Sequence, residues 1–175
     1  MIASPLVLPG DFAVIPIAGP VGKLISVGEW LNGSAFGDYD HAEIYVGMAD
    51  PNAPYGYTMG AYPGGARLCP VLPRQKGWLW SSGKLDLTAD QREQIVRNAL
   101  ACKGIGYSAA DYFALAAHRL HVPVPGLREY IKDSGHQICS QLVDWCYMKA
   151  GVQLFADGRW EGYVTPADLA GLLHA

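Results

Sequence analysis

The sequence predicts an α+β domain, a small antiparallel sheet packed against helices. Three observations point there. Short runs early in the chain alternate apolar and polar residues or are rich in β-formers. Longer runs after residue 88 recur with a helical period. Pro-Gly, Asn-Gly and Pro-Gly-Gly breaks separate them.

The elements follow in order. Residues 11–16 (DFAVIP) come after a Pro-Gly turn signal and read as a first strand. Residues 21–31 space Leu24, Ile25, Val27, Trp30 and Leu31 as a helix does, with Asn32-Gly33 as the stop. Residues 41–47 (HAEIYVG) alternate and are rich in β-formers. Residues 57–61 and 66–71 read as two more strands around Pro63-Gly64-Gly65. Trp78 and Trp80 alternate in a short segment before Gly83. Thr88 and Gln91 form a capping box that opens a helix ending near Lys103-Gly104. Ser108 and Asp111 mark a second helix start, running to about Leu120, and Pro123-Val124-Pro125-Gly126 breaks it. Residues 139–150 form an amphipathic helix with Leu142, Val143, Cys146 and Tyr147 on one face, stopped by Gly151. Thr165-Pro166 starts a last short helix.

With 175 residues and no repeat or low-complexity linker, the chain reads as one domain spanning 1–175. Half the residues are hydrophobic and 17% charged, a globular rather than a disordered composition. The formal net charge is -3 and no Lys/Arg cluster interleaves with aromatics, so a nucleic-acid partner is not expected. No apolar run approaches the roughly 20 residues that span a bilayer. The first residues lack a basic stretch and carry two prolines, so they do not read as a secretory signal. A cytoplasmic location is the expectation, with export by another route open.

The four cysteines, Cys69, Cys102, Cys139 and Cys146, contain no CxxC pair. A thiolate zinc site is not expected, and no other cofactor is indicated. Asp38, Asp40 and His41 are too irregularly spaced, with no second histidine nearby, to suggest a metal-dependent hydrolase. Cys139 and Cys146 lie two helical turns apart and cannot bridge.

Cys139 is the most informative residue. It follows the loop Lys132–Ile138 and sits where a helix begins. A helix N-terminus presents free N–H groups and partial positive charge. Both favour a reactive thiolate and can hold a developing oxyanion. Cys146, mid-helix, is placed as a core residue. His41 opens a strand and is the natural base. His136, three residues before Cys139, competes for that role. His118, His121 and His174 have weaker cases at a helix end, a loop and the C-terminal tail.

Four segments resemble one known family. Cys139-Ser140-Gln141-Leu142-Val143 through Ala150-Gly151 is similar to the nucleophile helix of NlpC-type papain-like cysteine peptidases. Gly10-Asp11 with its strand, His41-Ala42-Glu43-Ile44-Tyr45-Val46-Gly47, and Gly104-Ile105-Gly106-Tyr107 resemble three further family segments. In the ordinary family the cysteine comes first, whereas here His41 precedes Cys139. That order resembles the circularly permuted branch, which includes YiiX-like proteins and lecithin:retinol acyltransferase-like enzymes. Residues 61–67 and 164–169 also look like that branch.

The resemblance implies a circularly permuted papain-like fold and a cysteine hydrolase of peptidase, amidase or acyl-transfer type. Cys139 is then the nucleophile and His41 its base. Tyr107 matches a family tyrosine beside the nucleophile, a candidate donor to oxyanion or substrate. The peptidase branch implies a peptide or cell-wall amide substrate, and the permuted branch an acyl lipid. One position departs from the pattern. Where related permuted proteins often carry a polar residue, commonly Glu, this chain has Gly60. Glu43 shares a strand face with His41 and is the first substitute, Thr58 the second, and a backbone group or water a third. The missing polar residue also fits an alternative, a catalytically weak or inactive binding module on the same fold.

Overall fold

The computed structural model describes residues 6–16, 39–62, 64–72, 77–106, 139–158 and 164–174. Five strands and three helices lie within them. They are β1 (Phe12–Ile15), β2 (His41–Gly47), β3 (Tyr57–Tyr62), β4 (Gly65–Pro70), β5 (Leu79–Trp80), α1 (Ala89–Ala101), α2 (Cys139–Lys149) and α3 (Pro166–His174). The strands form one sheet in the order β4-β3-β2-β1-β5, and every pairing is antiparallel. The architecture is α+β. The expected helices at 21–31 and 108–120 fall outside the described residues.

The strand alternation sorts the sheet into two sets. Phe12, Val14, Ala42, Ile44, Val46, Met59 and Ala61 join a single apolar core with Ile95 and Ala99 of α1 and Leu142 and Val143 of α2. Each fully buried large side chain there is worth about 1.5–3 kcal/mol. The alternate residues, His41, Glu43, Thr58 and Gly60, carry the polar groups considered below. β4 starts one residue earlier than the alternation suggests, because Gly65 still pairs with Tyr62.

Two helix starts behave as their sequences predict. Thr88 caps α1, and the reciprocal bond from Gln91 completes the box. The Thr165 backbone N–H donates to Asp168 in the first turn of α3. The third differs from expectation. α2 is not half-solvated: Ser140, Gln141 and Asp144 are buried along with its apolar residues. It packs against α1, β2 and β3 at once. The Ser140 hydroxyl bonds the Val164 carbonyl (2.7 Å), which offsets its desolvation.

The Gly10-Asp11 pair ties the helices to the sheet. Gly10 has φ +92°, and a Cβ there would sit 3.1 Å from the Arg92 Cα, so only glycine fits this turn. Its carbonyl accepts from the Tyr147 hydroxyl of α2 (2.5 Å). Asp11, buried, takes the Arg92 guanidinium of α1 (2.8 Å), the Ser82 hydroxyl and the Leu8 N–H. The motif is thus a structural clamp joining β1, α1 and α2.

Candidate active site

His41 is the first residue of β2, opposite Ile15 of β1, and is buried. Glu43, two residues on, projects on the same side of the strand. Its Oε1 lies 3.1 Å from His41 Nε2. Cys139 is the first residue of α2, and its side chain is only 2% exposed. Because α2 lies against β2, the start of the helix meets the start of the strand. The Cys139 sulfur there lies close enough to act on the charge of the imidazole. Two groups, Cys139 of α2 and Glu43 of β2, are therefore brought to the one ring of His41.

Electrostatics favour the charged ring. Burial alone would lower the His41 pKa. The Cys139 charge and hydrogen bond, then the Glu43 hydrogen bond and charge, outweigh it and raise the value to about 10. The ring is held as an imidazolium at neutral pH, flanked by two groups that are anionic when ionised.

Glu43 is 1% exposed, and its carboxylate needs partners. Oε1 accepts from the Tyr62 hydroxyl as well as meeting His41, and Oε2 accepts from the Thr58 hydroxyl. The Tyr62 ring also packs on the imidazole, centroids 4.5 Å apart and tilted 51°. The Arg67 guanidinium stands 4.5 Å over the Tyr62 ring. Cys69, half-buried on β4, has its thiol pushed up by burial and by the Glu43 charge.

Of the residues singled out in the sequence, Cys139, His41 and Glu43 come together. Thr58 is present, but its hydroxyl serves Glu43 rather than the imidazole. Tyr107 and the competing His136 lie outside the described residues, as do His118 and His121. His174 closes α3 at the exposed end of that helix. Tyr62 is a site residue that the sequence marks only as part of the resembling run 61–67. Its place two residues after Gly60, on the same strand face, was the available signal. Among the described residues no three His, Cys, Asp or Glu side chains gather as a metal ion requires, and no helix is long and apolar enough to cross a membrane.

No protein-family model matches the chain, and no curated protein matches it.

Proposed function

We propose that this chain is a cysteine hydrolase of the circularly permuted papain-like type, acting on an amide, ester or thioester. The observation that carries the reading is the shared imidazole: one buried ring meets the Glu43 carboxylate at 3.1 Å and is under the influence of the Cys139 sulfur at the start of α2. With Nε2 engaged by Glu43, Nδ1 is the nitrogen left for the sulfur. Nucleophile, base and orienter then follow in the order that activates a thiol.

The reaction runs in two halves. The Cys139 thiolate forms a bond to the carbonyl carbon, and the carbonyl π pair moves onto oxygen. N–H groups of the first turn of α2 stabilise that oxyanion. As the C=O re-forms, the leaving amine, alcohol or thiol departs with the proton from the imidazolium of His41. The neutral ring then takes a proton from water, which attacks the thioester, and acid and Cys139 thiolate are regenerated. Glu43 stabilises the ring whenever it carries charge. Peptide or cell-wall amides and acyl lipids are the two substrate classes in view.

The inactive-module alternative drew on Gly60. The space at Gly60 is filled by the Glu43 side chain, which supports a working acid–base pair instead. A screen of amide, ester and thioester substrates with wild type and Cys139→Ala tests the proposal. Turnover should appear in wild type and vanish in the variant. Equal turnover in both rejects it.

A further inference from the structure

We propose that Gly60 and Tyr62 are positioning residues: the missing side chain at Gly60 leaves the seat for the Glu43 carboxylate, and the Tyr62 hydroxyl holds the carboxylate in it against His41. The inference rests on reading His41 as the acid–base group.

The geometry is specific. Gly60 is directly opposite Glu43 in the β2–β3 register. A Cβ at Gly60 would lie 2.9 Å from the Glu43 Cγ, 2.9 Å from the Tyr62 Cε2 and 3.1 Å from the Glu43 Oε1. These are closer than ordinary van der Waals contact, so the carboxylate or the Tyr62 ring must shift. The Gly60 backbone is not left-handed, so alanine meets a space problem there and not a backbone one. The position that looks like a lost polar residue is thus a vacancy that the base's own strand fills.

Charge accounting points the same way. Among the described residues, the only ion-pair partner of Glu43 is His41. Its other bonds come from neutral hydroxyls, Thr58 on Oε2 and Tyr62 on Oε1. Among the described residues no permanent cation pairs with the carboxylate, and the nearby Arg67 guanidinium lies over the Tyr62 ring instead. The field of Glu43 is directed at the imidazole. Among the described residues, the titratable and charged groups that the contacts place around His41 are Glu43 of β2, Tyr62 of β3 and Cys139 of α2, with Arg67 and Cys69 of β4 behind them. A side chain at Gly60 meets Glu43 and the Tyr62 ring that holds it, and neither Cys139 nor His41 is among its nearest neighbours.

The test is the His41 imidazole titration followed by NMR in the full chain, without substrate. Gly60→Ala should lower the midpoint by about one pH unit or more, as expected when a hydrogen-bonded carboxylate is withdrawn. Tyr62→Phe, which removes one oxygen and preserves the ring, should lower it by less. In a Glu43→Gln background Gly60→Ala should add no further shift, because its effect passes through the carboxylate. An unchanged midpoint in both single variants overturns the proposal, and so does an equal shift with Glu43 already replaced. If Gly60→Ala does not fold, Tyr62→Phe decides alone. Because the titration needs no substrate, a chain with no hydrolase activity rejects the function proposed above and leaves this result standing.

Discussion

Two cysteines on α2, two turns apart, are both buried, yet their surroundings differ. Cys139 is 2% exposed and Cys146 is fully covered. Cys146 faces the Cys102 thiol, and that contact together with burial pushes its thiol up. Cys139 faces the imidazole of His41, which Cys139 and then Glu43 favour in its charged form. Burial is common to the two, so burial does not make a nucleophile. What sets Cys139 apart is the imidazole beside it at the start of the helix, a cation of the kind that favours a thiolate.

That contrast is open to direct attack. Cys139→Ala should cut turnover roughly a thousandfold or more while the fold persists, since nucleophile and base act as one unit. Cys146→Ala should leave turnover near wild type. Parity between the two variants in a steady-state assay would erase the distinction.

The second expectation concerns pH and stability. The His41 pKa is raised from 6.5 in the unfolded chain to about 10 in the fold. A raised base stabilises most when protonated in both states, so its contribution is full below about pH 6.5 and is lost as pH climbs through about 10. Urea titrations should therefore show wild type losing stability relative to His41→Gln across that window. A constant difference from pH 6 to 10.5 contradicts the buried imidazolium.

Next in size is Glu43→Gln, expected to slow turnover roughly tenfold with KM little changed, because it removes ring stabilisation and not substrate contact. An unaltered kcat would make Glu43 a structural carboxylate like Asp11, whose charge is met by Arg92. The smallest effect is structural. Cys146→Ala should cost about 1 kcal/mol in chemical denaturation, the loss of one buried sulfur. No loss would mean that the Cys102–Cys146 contact contributes nothing to the core.

Much of this arrangement was legible in the chain. The period-two run 41–47 names β2 to the residue, because one side of that strand is apolar throughout. The same period put Glu43 on the face of His41. The Thr88–Gln91 box marked the start of α1, because its partners are local. What depends on register or distant pairing was not legible. Nothing near Gly60 in sequence says that Glu43 lies opposite it. Tyr62 reaches Glu43 across nineteen residues of chain, and Arg92 reaches Asp11 across eighty-one. The burial of the polar residues of α2 was hidden because Ser140, Gln141 and Asp144 look like a solvated face until packing covers them.

The central claim is that Cys139 is activated by its neighbours and not by access. Competitive alkylation at pH 7 with limiting iodoacetamide, read by peptide mass spectrometry, tests it most directly. Exposure favours Cys69, the least buried of the four thiols. Charge pairing favours Cys139. The account predicts that Cys139 is labelled first, and that its lead disappears in His41→Ala. Labelling of Cys69 ahead of Cys139 in wild type, unchanged by His41→Ala, would contradict it.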